Sequence, residues 1–288
     1  MSDEVVLGPG WGGADDPLPG AVPRTAVPGP GWSLVRRWLA PSLVVALALA
    51  VWELWVRLAG TPRWFLPPPT VIAETVVADR ALLLHHARVT LIEVVLGFGL
   101  ALVAGVLVAS VIDGSRVLER AIYPLVVASQ TVPIPALAPL LLIWFGYGLL
   151  PKVLVVALIA FFPIAVNTVD GLRATDRELL RLLRTLGAGR WTRFRLAKLP
   201  AALPFLFSGA RVAVAVSVIG AVFGELVGAS DGLGYLMTRA AADFLTARVF
   251  AAIVVLAAMG VGLFGLVALG ERLLLPWRRL TTGDDENA

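Results

Sequence analysis

RELLRLLRTLGAGRWTRFRLAKLP, residues 177–200, stands between two stretches apolar enough for lipid. It carries seven basic side chains (Arg177, Arg181, Arg184, Arg190, Arg193, Arg195, Lys198) and one carboxylate, Glu178. Leu179, Leu182, Leu183 and Leu186 recur at i, i+3, i+4 and i+7, which predicts a helix with one apolar stripe. Arg177, Arg181 and Arg184 form a basic stripe beside it. Asp176 near the start and Arg184 near the end suit the helix dipole. Gly187 is expected to end this helix, because glycine accepts the left-handed C′ conformation. A second short helix is expected from about Gly189, presenting Trp191 and Phe194. Leu199-Pro200 then opens the next apolar helix, since proline is tolerated in a first turn.

Working outward, hydrophobic residues make up 58% of the 288 residues and charged residues 15%. Mean hydropathy is +0.86. Soluble domains run nearer 45–50% apolar and about 25% charged, so this is an integral membrane protein. A spanning helix needs ~20 mostly apolar residues. Six runs qualify: 38–59, 94–112, 121–151, 153–169, 199–228 and 249–270. The third contains Pro133, Pro135 and Pro139. The fold expected is an all-α polytopic bundle of six transmembrane helices. If both termini are cytoplasmic, the inner segments hold 16 of the 24 Lys and Arg residues and the outer segments 7. Arg211 lies inside the fifth span. That bias puts residues 170–200 on the cytoplasmic side.

Residues 1–31 are rich in Gly and Pro without an apolar period and are expected to be a disordered tail. The membrane domain is expected over 32–280, with a polar tail at 281–288. The outer segments 61–88 and 229–247 are expected to hold short helices, the first beginning near Thr70. Gly97, Ala101, Gly105 and Ala109 repeat every fourth residue, as do Gly220, Gly224 and Gly228, spacings that let helices approach closely in lipid.

The chain has no cysteine, which excludes thiolate metal sites and thiol nucleophiles. His85 and His86 are adjacent and are read as structural, so no metal is expected. There is no GxxxxGK[ST], hence no phosphate cradle for ATP. GVGLFG at 260–265 fits GxGxxG, but inside an apolar run it reads as helix packing. An active site is difficult to assemble from these residues. Polar side chains within spans usually face a cavity or a bundle interior. Gln130 and Thr131, beside the proline break, Asn167 and Glu225 are the candidates for a solute pathway. For Gln130 the competing reading is a helix–helix hydrogen bond, and for Glu225 a solvated helix end. Glu53 and Glu93 are read as reaching the headgroups, and Arg211 as pairing within the bundle. Without a partner, the basic insert would be an interfacial helix on anionic lipid.

Gly187, nine residues, then Ala197-x-Leu199-Pro200 resembles the signature loop of binding-protein-dependent ABC transporter permeases. That signature reads Glu-Ala-Ala, three residues, Gly, nine residues, Ile-x-Leu-Pro. Gly187, Leu199 and Pro200 match in register. Arg181-Leu182-Leu183 and Ala197 depart from it. The resemblance runs from about Trp64 to Arg272. FLPPPTVIAE is similar to the sulfonate, nitrate and taurine branch. SQTVPIPALAPLLLIWFGYGLLPKV, FFPIAVNTVDGL and GELVGASDGLGYLM look closest to permeases for thiamine-precursor pyrimidines. The resemblance implies a MetI-like importer permease whose cytoplasmic loop docks on a separate ATPase. It implies two permease copies, two ATP-binding subunits and an external solute-binding protein in a bacterial cell membrane. No nucleic acid is involved, and ATP and Mg would sit on the partner. Glu178, Leu182, Leu183, Thr185, Gly187, Ala188, Trp191, Leu199 and Pro200 are then the coupling residues. A channel or secondary transporter needing no ATPase is the alternative class, for which inverted repeats would be expected.

Overall fold

The structure, a computed structural model, describes residues 30–276, with side chains from residue 39 onward. The terminal tails expected at 1–31 and 281–288 lie almost wholly outside the described residues. Regular structure in the described residues is entirely helical. Helix α1 (Pro30–Leu58) is described in two parts: residues up to Val51 form a unit of their own, and Trp52 onward belongs to the second.

The second unit is built around α6 (Leu149–Arg173), which lies between α3 (Arg80–Gly114) and α9 (Leu199–Gly228). Small residues set these approaches. A Cβ on Gly105 would lie 2.8 Å from Ile164 Cγ2, and one on Gly224 would lie 3.2 Å from the Lys152 Cα. The stripes therefore face α6 at Gly97, Gly105, Gly220 and Gly224, as close packing in lipid requires, while Gly228 meets Leu142 of the helix preceding α6. Helix α11 (Thr246–Leu274) packs on α9 together with α10 (Leu233–Ala242), and also on α2 (Pro69–Ala78).

The third apolar run is broken. Helix α4 (Arg116–Ala128) passes through a tight turn at Ser129–Thr131 and resumes as α5 (Ile134–Phe145), bent by 97°. The cause is local: prolines lack an N–H and push the preceding residue into extended geometry. Val132, ahead of Pro133, has ψ 121. Among the described residues five helices are long and apolar enough to cross a bilayer, and six if this bent pair is one span.

Two boundaries differ from the sequence expectation. Residues 80–88 belong to α3, a helix of 35 residues, rather than to a separate outer segment. At 1.5 Å per residue it is about 52 Å long and overshoots a ~30 Å hydrocarbon core. The fresh helix start expected at Leu199-Pro200 is also absent. Helix α8 (Arg190–Arg193) runs through a wide π turn at Phe194–Lys198 directly into α9. A π turn is a recognised accommodation within a helix, and here it precedes a proline that has no N–H to give.

Candidate functional site: the coupling element and a buried polar cluster

Helix α7 (Arg177–Thr185) starts where the Asp176 side chain accepts the Glu178 N–H at 2.8 Å. Its end is a Schellman cap: the Ala188 N–H reaches the Leu183 carbonyl at 2.9 Å and the Gly187 N–H reaches Arg184 at 3.0 Å. Gly187 has φ +77, the left-handed geometry that favours glycine. Thr185 Oγ1 donates to the Leu182 carbonyl at 2.7 Å. Leu183, Thr185, Gly187 and Ala188 thus shape the turn. No residue of α7 is buried. Leu182 is 56% exposed, Leu186 72% and Trp191 72%, with Trp191 stacked on Phe194 at 5.7 Å. The element presents an apolar face to whatever binds it.

Its base is anchored. Ala197 is buried, and Phe194 packs against the cluster formed by Ile112, Val169, Leu172 and Ala202. Lys198 Nζ donates to both oxygens of Asp113, at 2.6 and 2.7 Å, tying the π turn to the end of α3. Arg173 pairs with Glu119 at 2.7 Å and stacks over Tyr123 at 4.7 Å, joining α6 to α4. Leu199 is exposed and Pro200 half-buried within the continuous helix. Displacement of α7 and α8 would therefore be carried along α9 and across to α3.

The four pathway candidates do not converge. Gln130 and Thr131 are exposed at the bend between α4 and α5, and Thr131 Oγ1 donates to the Ala128 carbonyl. Asn167 sits in α6, where its Nδ2 donates to the Pro163 carbonyl at 2.7 Å. Glu225 lies toward the far end of α9 and is 1% exposed, so the solvated-end reading is corrected. Its carboxyl accepts from Thr90 Oγ1 at 2.6 Å and from the Gly234 N–H at 2.5 Å, at the start of α10. Thr90 Oγ1 in turn accepts the Leu233 N–H at 2.9 Å.

This is part of a polar cluster the sequence reading missed. Glu93, expected at the headgroups, is 0% exposed. Lys152, expected in an outer loop, is buried in the first turn of α6 and donates to Glu93 Oε1 at 2.8 Å. Glu225 lies near Glu93, close enough for the two carboxyls to influence each other, while Glu93 Oε2 is buried without a hydrogen-bond partner among the described residues. The signal was present, since a charge deep in lipid needs a partner, but nothing local reveals partners so distant in sequence. Arg211 pairs with Glu271 between α9 and α11, as expected.

His85, His86 and Asp231 bring ligand-type atoms within 4.8 Å of one another. His86 Nδ1 accepts the Gly232 N–H at 3.0 Å, which leaves the proton on Nε2 and neither nitrogen free for a metal. The His85 hydrogen bond, then that of Ser230, holds the Asp231 carboxyl below the usual carboxylate range. These contacts fasten the α9–α10 link to α3.

The chain is similar to known transport proteins along most of its length. It is 39% identical over 241 residues to the formylaminopyrimidine transport permease protein ThiX of Halalkalibacterium halodurans, covering 84% of this chain and 96% of that one. It is 40% identical over 244 residues to the riboflavin transport system permease protein RibX of Chloroflexus aurantiacus, covering 83% and 91%. Its fold is similar to that in the inward-facing MetNI methionine ABC transporter, with TM-score 0.54 and 19% identity over 67% of this chain and 97% of that one. Residues 101–275 match the family described as the binding-protein-dependent transport system inner membrane component. The chain belongs to that family, and it is a multi-pass membrane permease subunit of an ABC importer.

Proposed function

We propose that two copies of this chain form the transmembrane pathway of an importer for a thiamine-precursor pyrimidine or a similar heterocycle. An external binding protein delivers the solute. Two ATP-binding subunits dock on the coupling elements and carry the ATP and Mg. The element and both termini face the cytoplasm of a bacterial cell. The observation that carries the reading is the exposed apolar face of Leu182, Leu186 and Trp191 on a base continuous with α9. Fully burying one leucine contributes roughly 1.5–3 kcal/mol, so such a face supports docking of a soluble subunit. Likeness to the formylaminopyrimidine and riboflavin permeases supports a heterocyclic solute. Sulfonate, taurine or nitrate import by the same machinery is the alternative, supported by the resemblance around FLPPPTVIAE.

The test uses the assembled complex in proteoliposomes. Gly187→Val meets no neighbour, since nothing lies within 4 Å of an added Cβ, but it must hold φ +77. Left-handed geometry costs a residue with a side chain roughly 1–2 kcal/mol, on the order of tenfold. Insertion should be unchanged while solute-stimulated ATP hydrolysis falls by about that factor. Full stimulation in the variant would overturn the coupling role.

A further inference from the structure

A cavity of about 400 Å³ opens at the end of the bundle away from the coupling element. It lies where the α5–α6 link meets the end of α9, and Tyr147, Gly148, Lys152, Gly228 and Ser230 line it. The size falls within the range of small-molecule sites, ~300–1,000 Å³. Its chemistry is specific. The Lys152 side chain is 9% exposed, and an ammonium has three donors. Among the described residues Glu93 Oε1 is its one recorded hydrogen-bond acceptor. A nine-tenths buried cation with donors to spare calls for acceptor atoms from the cavity. Ser230 Oγ donates its proton to Asp231 at 3.1 Å, so it offers lone pairs to an incoming N–H. Tyr147 is 84% exposed and lies against Gly228, giving an unpartnered ring face. Gly148, with nothing within 4 Å of where a Cβ would stand, leaves a backbone wall that a flat molecule can approach closely.

We propose that this cavity is the hand-over site where the solute first meets the permease, and that it selects a flat, uncharged heterocycle carrying both a ring or carbonyl acceptor and an amino N–H. Tyr147 stacks on the ring, Lys152 donates to the acceptor and Ser230 accepts from the amine. A sulfonate head offers acceptors only. The one ammonium facing it is already countered by Glu93, with the Glu225 carboxyl beside that. The cluster has no surplus positive charge with which to hold an anion. This deepens the heterocycle reading above and rests on it.

The absence of cysteine makes a direct test available. Ser230→Cys introduces this chain's sole thiol, read on the permease band by a membrane-impermeant maleimide applied to proteoliposomes of the full complex. Wild-type uptake is first compared for a formylaminopyrimidine and an alkanesulfonate. The proposal expects uptake of the pyrimidine, and severalfold slower maleimide labelling of the Ser230→Cys variant when binding protein loaded with it is added. Tyr147→Ala is expected to raise the half-saturating concentration of loaded binding protein about tenfold, the loss of roughly 1.4 kcal/mol of stacking, and Tyr147→Phe to restore it. Uptake of the sulfonate alone overturns the charge argument and the heterocycle reading together. Pyrimidine uptake with labelling unprotected leaves the heterocycle reading standing and overturns the cavity. Uptake of neither overturns both.

Discussion

Lys152 shows how the bundle tolerates charge. Its ammonium lies 2.8 Å from Glu93, and both side chains are buried between α3 and α6. Removing one member of such a pair leaves an uncompensated charge and typically costs about 3–5 kcal/mol, whereas replacing both with apolar groups of similar volume is close to neutral. Lys152→Met and Glu93→Met should therefore each lower the thermal unfolding temperature of the detergent-solubilised protein. The double variant should recover most of the loss. Additive losses would show that the two side chains do not act as a pair. A milder case is Glu225→Ala, which strands the buried Gly234 N–H and leaves the Thr90 hydroxyl only the longer bond to the His86 carbonyl. It should cost about 1–3 kcal/mol and loosen α10, read as faster amide exchange at Leu233 and Gly234. The pairings themselves were not legible from the sequence. Lys152 follows Pro151 at the junction of two apolar runs, where a charge ordinarily reads as a loop residue. Its partner is 59 residues away.

The shape of the proposed coupling element was legible in outline because its punctuation is local. The Asp176 cap, the leucine stripe, Gly187 and the Trp191–Phe194 pair all fall where period and capping rules put them. What the rules misread was the exit. Leu199-Pro200 signals a helix start, yet the π turn carries α8 through it, so α8 and the span form one rod from Arg190 to Gly228. That rod is braced by the Lys198–Asp113 pair, in which the side chains are 24% and 17% exposed. A partly exposed, charge-assisted pair contributes roughly 1–2 kcal/mol after screening. Lys198→Ala should lower solute-stimulated hydrolysis by a factor on the order of ten while unstimulated hydrolysis changes little. The swap Asp113→Lys with Lys198→Asp should restore much of the coupling. Equal loss in the swap and the single variant would mean that the lysine acts through something other than this brace.

At the scale of the molecule, charge is distributed by face. The arginines at 177, 181, 184, 190, 193 and 195 make no ion pair among the described residues. At the other end, Arg57 pairs with Glu53 at 2.6 Å and Arg248 with Asp79 at 2.7 Å. Orientation follows the count of Lys and Arg in short segments near the span ends, and acids contribute little to it. Burial of Lys152 removes one residue from the outer tally, so the bias toward a cytoplasmic coupling element is stronger than the sequence alone suggested. Two single-cysteine variants test it. Arg177 is exposed beside the element's apolar stripe, and Phe244 is 70% exposed beyond the end of α10. In intact cells an impermeant maleimide should label Phe244→Cys and not Arg177→Cys. In inside-out vesicles the order should reverse. The lack of native cysteine makes each signal unambiguous. Labelling of Arg177→Cys in intact cells would place the coupling element outside, where no ATP-hydrolysing subunit could drive it. The import reading would fall with it, because delivery and energy supply require opposite faces of the membrane.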